Sequence, residues 1–242
     1  VATNQKKQIK VQNSLKCLTN LSKLIRDNFQ GKIVAITGSC GKTSLKKITG
    51  EALSKFSHIS FSPKSYNNKY GVPLSLFNLN LNSNYGVFEV GMDKKGEIDY
   101  LSKILKPNIG VITNISYAHA KNFKNIHQIA EAKGEIIQNI KKNGTIILNK
   151  DDSFFNLHKE KAQKRGLKII SFGFNKKADI GLMTTKKKNK YFKISVRIFN
   201  KKKYFYIKNK NQNNIYNILA SIGIISSLGN KEKLSINLFS KL

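Results

Sequence analysis

Apolar positions recur along this chain in two rhythms. Leu15, Leu18, Leu21, Leu24 and Ile25 fall at helical spacing and predict an amphipathic helix over 14–29 with those residues on one face. Lys32-Ile33-Val34-Ala35-Ile36-Thr37 reads as a buried strand. A glycine-bearing loop follows, then a helix marked by Leu45, Ile48, Ala52, Leu53 and Phe56. The alternation repeats, with strands at 85–90, 109–113, 145–148 and 167–170. The helices between them fall at 97–105 (ended by Pro107), near 125–141 and over about 153–165. Short apolar strands alternating with helices imply a mostly parallel sheet with helices on both faces.

Beyond residue 175 the rhythm changes. Residues 191–198 alternate with period two, and 203–207 form a natural partner, so a C-terminal antiparallel hairpin region is expected, with lysine on its solvated face. Lys186-Lys187-Lys188 and Lys201-Lys202-Lys203 read as solvated turns, and residues 213–228 return to helix. No repeat or linker interrupts this order, so one composite α/β domain is predicted.

Composition changes the picture in three ways. Hydrophobic residues are 40% of 242, enough for a sizeable core, and no apolar run approaches the roughly 18–20 residues of a membrane span. Cys17 and Cys40 have no metal-ligand spacing and read as reduced thiols of a cytosolic protein. The net charge of +31 could suit an anionic partner. Its lysines are spread through the whole chain, however, and arginine, the better base reader, is scarce. The charge therefore reads as a solubilising surface rather than a nucleic-acid site.

The chemistry begins in the loop Thr37-Gly38-Ser39-Cys40-Gly41-Lys42-Thr43-Ser44. Several backbone N–H groups must converge on a phosphate, and glycine permits that approach. Gly38 and Gly41 supply it, Lys42 offers a cation to the β- and γ-phosphates, and the Thr43 hydroxyl can reach Mg²⁺. The helix behind adds its positive end. The common P-loop has a further glycine where this chain has Ile36, so the loop is a shorter variant, Gly-x-x-Gly-Lys-Thr. Strand before and helix after give it its meaning as an ATP site. Glu89 ends an apolar strand, as a metal-reaching carboxylate or an ordinary strand-end acid. His119 follows another strand, as a site residue or a structural histidine. Lys133 lies mid-helix, where a surface lysine is the default.

Ordered segments add a resemblance. The loop at 36–43, Asn67-Asn68-Lys69-Tyr70-Gly71-Val72-Pro73, Glu89-Val90-Gly91-Met92 with Gly96-Glu97-Ile98, Thr113-Asn114-Ile115 with Ala118-His119, and Ala132-Lys133-Gly134-Glu135-Ile136 together resemble the Mur ligases. The Asn-Asn-x-x-Gly-Val-Pro and Gly-Glu-Ile elements resemble the member joining D-alanyl-D-alanine to a UDP-N-acetylmuramoyl-tripeptide.

The resemblance implies a cytoplasmic, monomeric ATP-dependent amide ligase using two Mg²⁺. Lys42, His119 and Lys133 would be catalytic. Thr43 and Glu89 would bind magnesium and His119 a second ion, with Lys133 carbamylated into a further ligand. Asn67 and Asn68 would face the muramoyl peptide. Asn214 and Asn217 would lie near adenine, although Asn211 and Asn213 replace the family's glycine and histidine there. It further implies that residues 1–30 join from a substrate domain and 31–242 form the central ATP-binding domain. The rivals are another Mur-type or folylpolyglutamate-type ligase, and a basic P-loop ATPase that binds nucleic acid.

Overall fold

The computed structural model of the chain describes residues 10–117 and 122–241. The expected alternation is present. After α1 (Ser14–Asn28) come β1 (Lys32–Thr37), α2 (Lys42–Leu53), β2 (Ile59–Phe61), α3 (Gly71–Phe77), β3 (Tyr85–Glu89), α4 (Glu97–Leu105) and β4 (Ile109–Ile112). Then follow α5 (Ile126–Lys133), β5 (Thr145–Asn149), α6 (Phe155–Lys164), β6 (Lys168–Gly173), β7 (Ile180–Lys188), β8 (Tyr191–Ile198), β9 (Lys201–Ile207) and α7 (Gln212–Ser227).

The nine strands among the described residues form one sheet in the order β2-β3-β1-β4-β5-β6-β7-β8-β9. Pairing is parallel from β2 to β7 and antiparallel from β7 to β9. Successive side chains of β1 enter opposite cores. Val34 and Ile36 pack with Leu45, Ile48 and Ile218 beneath α2 and α7, while Ile33 and Ala35 pack with Ile98, Leu101 and Ile129 beneath α4 and α5. Burial on both faces explains why these strands read as unbroken apolar runs. β1 lies between β3 and β4, where the winding direction reverses. That leaves a crevice at the strands' C-terminal ends.

Four expectations need correction. Leu21 and Leu24 of α1 are 44% and 60% exposed, and the helix instead buries Thr19, Ser22 and Arg26. Arg26 donates to the carbonyls of Leu105 and Lys106, so α1 docks by capping the C-terminal end of α4 rather than by a leucine face. The helix near 125–141 is α only to Lys133 and tightens to a 3₁₀ turn over Gly134–Asn139, where His158 Nε2 meets the Ala130 carbonyl at 2.9 Å. Lys186-Lys187-Lys188 and Lys201-Lys202-Lys203 are strand, not turn, held by ladder pairing with β8. β2, α3 and the lysine-rich β7 carry too little apolar periodicity to be read from sequence.

Candidate active site

The loop after β1 opens into the crevice. Gly38 has φ +146°, and a Cβ there would lie 1.9 Å from Thr113 Oγ1. Gly41, at φ +84°, caps α2, and a Cβ on it would meet Asn217 Oδ1 at 3.0 Å. Both positions require glycine. Residues after β4 brace the loop from the side. Ser39 N donates to the Asn114 carbonyl (2.9 Å), Cys40 N donates to Asn114 Oδ1 (2.9 Å), and Thr113 Oγ1 donates to the Cys40 carbonyl (2.6 Å). Ser39 Oγ accepts from Ser116 N at 2.8 Å. The Lys42 ammonium folds over the loop and donates to the Gly38 carbonyl at 2.8 Å.

Glu89, at the end of β3, is fully buried beside the loop. Thr43 Oγ1 donates to its Oε2 at 3.0 Å. The Lys46 ammonium lies 2.6 Å from its Oε1 as a buried ion pair. Lys46 also donates to the Lys64 carbonyl, and Ser65 Oγ reaches Thr43 Oγ1 at 3.2 Å, which ties the 62–70 loop to the same point. Burial lowers the Lys42 pKa, and the Glu89 charge opposes that shift. Lys133, 2% exposed, is pushed down to about 7, first by burial and then by the Lys42 charge. Lys42, Glu89 and Lys133 therefore share one electrostatic neighbourhood. Lys133 is a buried amine, not a surface lysine.

The oxygens present suit magnesium. Thr43 Oγ1 and Glu89 Oε2, 3.0 Å apart, match the separation of adjacent octahedral ligands at about 2.1 Å from the ion. Among the described residues no cluster of three His, Cys, Asp or Glu could hold a metal alone. Mg²⁺ ordinarily takes one or two protein oxygens and completes its shell from phosphate and water. His119 lies outside the described residues.

Two cavities flank the loop. One, of about 680 Å³, is lined by Lys42, Asn67, Asn68, Tyr70, Lys94 and Tyr100 among others. Asn68 does local work as well, its Oδ1 accepting from Gly71 N at 2.9 Å at the start of α3. Asn67 is held by its carbonyl, which accepts from Gly91 N at 2.7 Å. The other cavity, of about 350 Å³, is lined by Cys40, Gly41, Ser44, Asp151, Tyr216 and Asn217 among others. Here Asn213 lines the wall, while the Asn214 amide turns away to donate to the Asn209 carbonyl at 2.8 Å.

Sequence reasoning passed over Lys46, Asp151 and Tyr216. Asp151 accepts from Phe174 N, Asn175 N and Tyr216 OH, and the Tyr216 ring stacks on Phe174 at 4.4 Å. Burial and the Asp151 contact push the Tyr216 phenol up to about 12, so it remains a donor. Asp151-Asp152, separated from the end of β5 by one residue, was the available signal. Lys46, one turn beyond Lys42, gave none.

This arrangement has known counterparts. The family model of the Mur ligase middle domain matches residues 36–225. The chain is 35% identical over 221 residues to a UDP-N-acetylmuramoyl-tripeptide–D-alanyl-D-alanine ligase of Buchnera aphidicola, covering 91% of this chain and 48% of that protein. Among solved structures, a MurF from Acinetobacter baumannii superposes with a TM-score of 0.88 at 29% identity, covering 97% of this chain and 51% of the other. A MurF ligase from Thermotoga maritima in complex with ADP gives 0.87 at 27% identity, covering 100% and 55%. The chain thus spans about half the length of the relatives it matches. With the family's match running from the end of β1 into α7, the strand and helix that bound the phosphate-loop crevice, this chain belongs to the Mur ligase middle-domain family.

Proposed function

We propose that this chain is the ATP-binding centre of a ligase that joins D-alanyl-D-alanine to a UDP-N-acetylmuramoyl-tripeptide in peptidoglycan precursor synthesis. One observation carries this reading: the phosphate loop stands between two cavities, with Lys42 facing the larger and Gly41 and Ser44 the smaller. A nucleoside in the smaller cavity sends its phosphates over the loop toward a carboxylate held in the larger. Residues 31–242 would be the ATP-binding domain and 1–30 the join from a substrate domain. The exposed Leu21 and Leu24 of α1 support that role.

In this reading the tripeptide's terminal carboxylate attacks the γ-phosphorus, and ADP leaves. The amine of D-alanyl-D-alanine then attacks the acyl phosphate, forming the amide and releasing phosphate and a proton. Catalysis of this kind is positioning and charge neutralisation. The loop N–H groups hold the phosphates, Lys42 neutralises the transferring group, and Asn67 and Asn68 orient the peptide. Asn217 borders the nucleoside, and Phe172 and Tyr216 wall its pocket. Magnesium, two ions in the family pattern, supplies further neutralisation of phosphate charge when bound. Thr43 and Glu89 would hold one ion. A carbamate on Lys133, formed from its buried amine and CO₂ with loss of a proton, would serve the second together with His119. The enzyme would work in the cytoplasm.

ADP release by the full-length enzyme, with and without each acceptor, tests the reading. Turnover should require both the UDP-muramoyl tripeptide and D-alanyl-D-alanine. ADP release indifferent to both would overturn it.

A further inference from the structure

Between Asp179 and Glu232 the chain has no aspartate or glutamate. That stretch builds β7, β8, β9 and α7. Strand alternation sends Ile194, Val196, Phe205 and Ile207 into the core with α7. The opposite face carries Lys186, Lys188, Lys193 and Lys202, with Tyr191, Tyr204 and Tyr206 between them. Lys186 lies directly opposite Lys193, an arrangement that destabilises a sheet when no acid offsets it.

Protection of a sheet edge explains lysine on an edge strand, but β8 is paired on both sides and still carries Lys193. The outer side of β9 is itself partly covered, because Tyr206 N donates to the Ile236 carbonyl at 2.9 Å. Two lysine ammonium groups lie over the Tyr204 ring, with Lys193 Nζ 4.3 Å and Lys202 Nζ 5.4 Å from its centre. Ammonium groups beside half-exposed phenols are the composition of a water–lipid boundary. Rings already covered by lysine make a poor stacking platform for bases, which favours a lipid surface over single-stranded nucleic acid. β8 and β9 end the sheet far from the β1 crevice, so contact there leaves the candidate active site open.

We propose that this lysine–tyrosine face of β7–β9 is a peripheral docking surface for an anionic lipid bilayer. The attraction is electrostatic and reversible, and it fades as salt shortens the screening length.

Co-sedimentation with vesicles tests it. The chain should bind phosphatidylcholine vesicles containing phosphatidylglycerol, ignore pure phosphatidylcholine, and detach at high salt. A variant with Lys186, Lys188, Lys193 and Lys202 all changed to Gln should bind roughly 600-fold more weakly, from roughly fivefold per surface lysine. A charge-matched control alters the exposed Lys16, Lys23, Lys142 and Lys164 to Gln instead and should bind like the parent. ATP affinity and melting temperature close to the parent's in both variants show that they are folded. Equal losses in the two variants would assign binding to net charge and overturn the proposal. So would binding to pure phosphatidylcholine, or preference for a single-stranded oligonucleotide that displaces the vesicles.

Discussion

Changing Lys46 to Met would remove the positive partner of a carboxylate that has no access to water. Glu89 is 0% and Lys46 4% exposed at the side chain, with 2.6 Å between Nζ and Oε1. Breaking a buried pair by deleting one partner typically costs about 3–5 kcal/mol, because the other charge is left uncompensated. Two features place this case at the low end. Thr43 still donates to Oε2, and the Lys42 charge acts on the same carboxylate. Lys46→Met should therefore destabilise the chain by about 3 kcal/mol, a large part of a typical domain's 5–15 kcal/mol. Urea unfolding followed by circular dichroism measures this, read as a lower midpoint at an unchanged slope. The double variant Lys46→Met/Glu89→Leu should recover most of the loss, since a buried pair replaced by apolar groups is often close to neutral. A loss below about 1 kcal/mol in the single variant, or no recovery in the double, would refute the argument that Lys46 is the counter-charge of Glu89.

Three further outcomes are expected. Lys42→Ala in the full-length enzyme should lower ligase turnover by on the order of 2–4 kcal/mol of transition-state stabilisation, and near-normal ADP release would refute the loop assignment. Tyr216→Phe deletes the 3.0 Å bond to Asp151 but keeps the stack on Phe174. ATP affinity by calorimetry should then fall by roughly 1 kcal/mol, with a further drop for Tyr216→Ala. Lys133 has a folded pKa of about 7, below its unfolded value. Between about pH 7 and 10.5 the unfolded chain binds the proton that the folded chain sheds, so stability rises with pH across that window and is flat below it. In CO₂-free buffer Lys133→Met should flatten that rise, and an unchanged slope would show that the Lys133 amine is not the group responsible.

Much of this protein is determined by sequence alone, for a local reason. A strand buried on both faces must be apolar throughout, so β1, β3, β4 and β5 declare themselves. α4 occupies the predicted 97–105, bounded by Gly96 and Pro107. Gly38 and Gly41 mark the phosphate loop because their positive φ angles exclude other residues. Tertiary structure decided what depends on distant neighbours. Lys46 looks like any helix-surface lysine until β3 brings Glu89 beneath it. Lys133 looks solvated until the fold buries it within reach of the Lys42 charge. The leucines of α1 have the right period, yet Arg26 and the open carbonyls of α4 choose a different face. β7 lacks an apolar rhythm and is a strand because β8 pairs along its length and β6 joins it at Ile180 and Gly181. Spacing along the chain encodes what each segment buries. Charge pairing and pKa depend on which segments the sheet order brings together, and no local pattern records that.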